Sequence, residues 1–169
     1  MKNRYFRSSL IVTTFLTASL FATAQNTATP LPANYIHVSA PMAQRLTVAT
    51  KQKHPEIVKL GLHATPPSAS DNAIIGSDAQ AKVGKKSSDK DMKKVAEAKP
   101  QAERIEKDGI YDLFLPLSDA KGRDIGQGFV VMEVPFKNAD SPEQALKIGE
   151  GIRNEIQRQI PSRDALYKQ

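Results

Sequence analysis

Gly126-Gln127-Gly128-Phe129-Val130-Val131-Met132-Glu133-Val134-Pro135-Phe136 is the stretch that decides the fold. Side chains alternate across a strand, so Phe129 and Val131 fall on one face and Val130, Met132, Val134 and Phe136 on the other. Both sets are apolar. A strand apolar on one face can lie at a surface, whereas one apolar on both faces is covered on both sides and belongs in the middle of a sheet. The stretch predicts a central strand with a layer of structure above and below it.

Upstream, Ala102 to Glu106 and Ile110 to Leu117 read as two further strands, joined by Asp108-Gly109 and connected onward by Ser118 to Arg123. Short connections make neighbours antiparallel, so the three strands form a meander. Downstream, Ser141-Pro142-Glu143 opens a helix whose Ile148, Ile152, Ile156 and Ile160 recur four apart, widened by Ala145 and Leu146, and which ends before Pro161.

Toward the N-terminus, Pro41 follows a Ser39 cap, and Met42, Leu46 and Ala49 predict one apolar helix stripe that His54-Pro55 terminates. Ile57 to Ala64 then alternates, with Val58, Leu60, Leu62 and Ala64 on one face and Lys59, Gly61 and His63 on the other. Pro66 and Pro67 close that strand, and Ala73 to Ser77 resumes as a second. Ser88 or Asp89 caps a short middle helix, with Asp91 placed to complete a capping box and Met92, Val95 and Ala96 facing inward. Helix, two strands, helix, three strands, helix is an α+β order: an antiparallel sheet of about five strands flanked by N-terminal and C-terminal helices. If those two helices share one face, the other face and the middle helix are left to build a pocket.

The chain begins with Lys2, Arg4 and Arg7, an apolar run from Leu10 to Ala24 diluted by Thr and Ser, and the small-x-small sequence Ala22-Thr23-Ala24. Residues 1–24 thus predict a signal peptide, with periplasmic or secreted localisation. The formal charge of +6 falls to +3 without the three basic residues of the leader, so a nucleic-acid partner has little support. Residues 25–40, with Pro30 and Pro32 and no apolar period, predict an extended tether. One domain over 41–160 and a C-terminal tail over 161–169 complete the organisation. No cysteine is present, so disulfides and thiolate chemistry are excluded and stability rests on burial.

The element order, together with Leu60-Gly61-Leu62-His63-Ala64-Thr65, Asn72-Ala73-Ile74-Ile75-Gly76-Ser77 and Val83-Gly84-Lys85-Lys86 followed by Asp89 and Asp91, resembles the single-Cache, PAS-like extracytoplasmic sensor domains. The likeness spans Pro41 to Ile160. It implies that the hydrophobic-glycine loop before the middle helix, with the acids just after it, shapes one side of a small-ligand pocket. Relatives that sense citrate or dicarboxylates clamp them with arginine and histidine, yet no arginine occurs here between His54 and Glu103. Lysines at 82, 85 and 86 are left as point-charge donors. No second hydrophobic span and no transmitter region follows, so the resemblance implies a free-standing module.

The candidate ligand-binding residues are His63, Asn72, Ser77, Lys85 and Lys86. His63 ends its strand on the face opposite Leu60 and Leu62, where an imidazole can donate or accept one hydrogen bond. Lys85 and Lys86 lead into the middle helix, where backbone amides and an ammonium together would suit an anionic group. No metal-ligand triplet, P-loop or Gly-x-Ser-x-Gly elbow occurs, so no cofactor, metal or catalytic residue is expected. Tyr111 shares a face with Leu113, Leu115 and Leu117 and belongs to the core, which turns Asp112 the other way. The expected function is an exported small-ligand binding or sensing module, not an enzyme. Its ligand would be a small, anionic molecule and its partner a separately encoded membrane receptor or transporter. The alternative is a non-catalytic envelope interaction protein, which would need a continuous apolar surface in place of a polar cavity.

Overall fold

The computed structural model describes residues 30–169, so the predicted signal peptide and the tether residues 25–29 lie outside the described residues. In chain order the elements are α1 (Pro41–Lys53), β1 (Lys59–Ala64), β2 (Ala73–Ser77), α2 (Asp89–Glu97), β3 (Gln101–Ile105), β4 (Ile110–Ser118), β5 (Asp124–Pro135) and α3 (Pro142–Arg158). The fold is α+β. All five strands form one antiparallel sheet in the order β2-β1-β5-β4-β3, which puts β5 in the middle.

Alternation along the strands sorts the two layers. Leu60 and Leu62 of β1, Tyr111, Leu113 and Leu115 of β4, and Val130, Met132 and Val134 of β5 enter one core with Ala43 and Leu46 of α1 and Ala145, Ile152 and Ile156 of α3. On the opposite face Phe129 stacks on His63 at 4.3 Å between ring centroids and meets Phe114 at 4.7 Å. Phe129 and Phe114 are fully or almost fully buried, so this end of the second face is covered as well. Truncating an aromatic in such a layer typically costs about 3–5 kcal/mol.

Helix α1 is rotated from its predicted stripe. Ala43, Leu46, Thr47 and Thr50 are buried while Ala49 is exposed, and Ala40, with no side-chain cap, stands where Ser39 was expected. Burying two threonines is tolerable because a hydroxyl can bond inside its own helix: Thr47 Oγ1 donates to the Ala43 carbonyl at 2.9 Å. Gly76 lets that face settle on β2, since a Cβ there would lie 2.6 Å from Thr47 Oγ1 and 2.7 Å from the Ala43 carbonyl oxygen.

Other expectations shift at their edges. β1 starts at Lys59, leaving Val58 half exposed and Ile57 fully buried in the core. Ala96 of α2 is exposed, and Met92 and Val95 are half-buried. The described part of the tether is not free: Tyr35 and Lys85 form a bridge, Ile36 N donates to the Gly84 carbonyl at 2.8 Å, and Val38 packs on the core. The predicted tail is likewise part of the unit, with Leu166 fully buried and Arg163 Nη2 donating to the Thr65 carbonyl at 2.7 Å. Leu31–Gln169 is accordingly one compact unit, wider than the predicted 41–160.

Candidate functional site

The face of the sheet opposite α1 and α3 is covered only in part by α2. Between them, and against β1, β2 and the loop before α2, lies a cavity of about 320 Å³. The residues that β1 turns to this face, Lys59, Gly61 and His63, line it together with Ile74, Ser77, Lys82, Lys85, Lys86, Ser88, Asp91 and Asp112. Of the predicted ligand-binding residues the fold brings His63, Ser77, Lys85 and Lys86 to one cavity. Asn72 stands behind it.

His63 is 6% exposed and its role follows from its neighbours. Asn72 Nδ2 lies 3.0 Å from the Gln127 carbonyl and 3.5 Å from that of Gly126, both acceptors, so the amide nitrogen must face them. Its Oδ1 therefore points to Ser87 Oγ, 2.7 Å away, and takes the single hydroxyl proton. Ser87 Oγ can then only accept from His63 Nδ1, at 2.8 Å. This chain of donors fixes the Nδ1–H tautomer. Burial holds the ring pKa down to about 4 against the opposing pull of the Asp91 charge, so the imidazole is neutral near pH 7. Its Nε2 lone pair has no partner among the described residues.

This arrangement does not activate Ser87 as a nucleophile. A serine nucleophile needs a histidine nitrogen free to take its proton. Here Nδ1 already carries a proton and the Ser87 hydroxyl gives its own to Asn72.

The loop into α2 corrects one expectation. Gly84 takes φ +89°, and a Cβ there would stand 2.4 Å from the Ile36 carbonyl oxygen. Its N–H goes to Ile74 O, that of Lys85 to Lys82 O, that of Lys86 to Asn34 O and that of Ser87 to Asn72 O. The backbone amides are thus spent inside the fold. At the N-terminus of α2 the expected capping box forms, in which the Ser88 side chain accepts from Asp91 N and the Asp91 carboxylate accepts from Ser88 N. In the loop itself, what remains for an anion is side-chain charge. Lys86 pairs with Asp71 at 2.9 Å, whereas Lys82 and Lys85 are exposed and have no acidic partner among the described residues. Ser77 Oγ accepts from Ala79 N at 3.1 Å and is nearly buried.

Asp112 was not among the predicted site residues. Strand register aligns Lys59 with Glu133, Glu133 with Asp112 and Asp112 with Glu103, a charged row across four strands on the face beneath α2. Lys59 Nζ pairs with Glu133 at 2.7 Å, and Lys90 and Lys94 reach from α2 to Glu103 at 2.6 and 3.6 Å. Asp112 in the middle gains no such bond: its Oδ1 is buried and unpartnered. Burial pushes its pKa up, with Lys59 and Lys94 opposing. The available signal was alternation, because a core Tyr111 forces Asp112 onto the pocket face. Ser87, one residue before the cap, carried no signal of its own.

A larger and more open groove of about 420 Å³ lies under the far end of α2, against Phe114, Pro116 and Arg153. Its one buried unpartnered atom is Arg153 Nε, on a guanidinium already tied through Nη1 to the Pro116 carbonyl at 2.7 Å. The smaller cavity holds the convergent polar groups and is the better site. Among the described residues no group of three His, Asp or Glu is placed to hold a metal ion, and no helix is long and apolar enough to cross a membrane. Compared with known proteins, the chain matches no family model, no curated protein and no solved structure.

Proposed function

We propose that this chain is an exported small-ligand binding or sensing module of single-Cache type, acting by recognition and passing its state to a separately encoded membrane receptor or transporter. One observation carries the reading: a buried histidine presents an unpartnered Nε2 to a cavity of about 320 Å³ that is walled by the sheet, α2 and the loop of residues 82–88. The ring is held in place by the protein while its Nε2 opens on the cavity, so a ligand that brings an N–H or O–H donor can be recognised there without rearrangement of the fold. The size falls near the lower end of small-molecule sites. The element order and the five-stranded antiparallel sheet agree with the Cache-like resemblance. The interaction-protein alternative is disfavoured by the surface, whose exposed large hydrophobic residues among those described are Leu31 and Val58.

The test is a thermal-shift screen of the purified protein against amino acids, organic acids, amines and purines. A ligand of the native state raises the midpoint with its occupancy. At least one class should do so at millimolar concentration, and no shift from any class would count against the reading. Export is checked separately: the mature protein should begin at Gln25 or a near neighbour by mass spectrometry.

A further inference from the structure

The cavity has two kinds of unsatisfied group on opposite sides, and together they restrict the ligand more than either does. Its sheet side offers acceptors: His63 Nε2, which the Ser87–Asn72 chain holds unprotonated, and Asp112, a lining carboxylate with no hydrogen bond among the described residues, whereas Lys59 on the same side is already paired with Glu133. Its loop side offers cations: Lys82 and Lys85, exposed and without an acidic partner among the described residues. A plain anion would meet the lysines but leave the carboxylate of Asp112 buried against like charge. A plain cation would satisfy Asp112 and face two ammonium groups. A molecule carrying both charges answers each side.

Resting on the reading that this cavity is a ligand site, we infer that it takes an amino-acid-sized zwitterion, its ammonium and any further N–H or O–H donors turned toward Asp112 and His63 and its carboxylate toward Lys82 and Lys85. The ligand is then recognised by N–H donation on the sheet side. A quaternary ammonium of the same charge, which has no N–H, fills that role poorly. The neutral imidazole matters for the same reason, because a protonated His63 would present a second donor where the ligand brings its own.

The experiment is isothermal titration of the purified protein with the standard L-amino acids, each compared with its deaminated acid, its decarboxylated amine and its N-trimethyl derivative. At least one amino acid is expected to bind, with each matched analogue at least tenfold weaker. Asp112→Asn should weaken the amino acid at least tenfold while the unfolding midpoint of the ligand-free protein holds or rises. If a deaminated acid binds as well as its parent, the cavity is a ligand site and the zwitterion inference falls. If no amino acid binds, the inference falls too, and the organic acids and purines of the thermal-shift screen then decide the wider reading on their own.

Discussion

His63 Nδ1 lies 2.8 Å from Ser87 Oγ, and in that bond the histidine is the donor. The direction is set two residues away, where the Gln127 carbonyl orients Asn72 and Asn72 claims the serine proton. Nitrogen-15 spectra of the histidine rings should therefore show His63 protonated on Nδ1 at neutral pH, with Nε2 bare. Ser87→Ala strands both the Nδ1–H and Asn72 Oδ1 and should cost roughly 1–3 kcal/mol in denaturant unfolding. A His63 protonated on Nε2 would reverse the polarity assigned to the cavity.

Acid should loosen the fold through the same ring. The folded pKa of about 4 lies below the ordinary 6.5, so between these values the unfolded chain binds the extra proton. The His63 contribution is fully present above pH 6.5 and is lost as pH falls toward 4, by which point the loss amounts to about 3 kcal/mol. Comparing wild type with His63→Gln from pH 7 to 4 isolates it, since Glu56, Glu103 and Glu155, whose pKa values are lowered, titrate alike in both. Parallel stability curves would contradict the buried neutral imidazole.

The two sides of the central sheet can be probed separately. Phe129→Ala removes the ring between His63 and Phe114, and Ile152→Ala opens the helix side of the core. Each should lower stability by about 2–5 kcal/mol. Phe129→Ala should in addition release the His63 ring, raising its pKa, whereas Ile152→Ala should leave that titration unmoved. Equal effects on His63 would mean the layers are not independent.

Lys85→Met should weaken a carboxylate-bearing ligand about tenfold, because a charged hydrogen bond is worth roughly 1.5–3 kcal/mol. Folding should be almost untouched, since the loop is held by its backbone bonds to Ile74 and Lys82 and not by the exposed Lys85 side chain. Unchanged affinity would remove Lys85 from the site.

The sheet was legible because β5 is apolar on both faces and its neighbours are joined by short turns; periodicity alone placed Tyr111 in the core and His63 on the opposite face. The capping box of Ser88 and Asp91 was legible for the same local reason. Long-range facts were not. Thr47 faces inward where Gly76 on β2 leaves room for it, and the burial of Leu166 depends on where residues 164–167 return to α1. Asp112 acquires its significance from strand register, which sets Lys59, Glu133 and Glu103 beside it but gives it no bond. The tautomer of His63 depends on Asn72, Ser87 and Gln127, which meet only in the folded chain.

The most direct measurement is a crystal structure of the protein with the compound that stabilises it most in the thermal-shift screen. The account predicts that compound in the cavity between β1, β2 and α2, with a donor atom within hydrogen-bond distance of His63 Nε2. A cavity filled by side chains, or the compound bound instead in the groove beside Phe114 and Arg153, would contradict it.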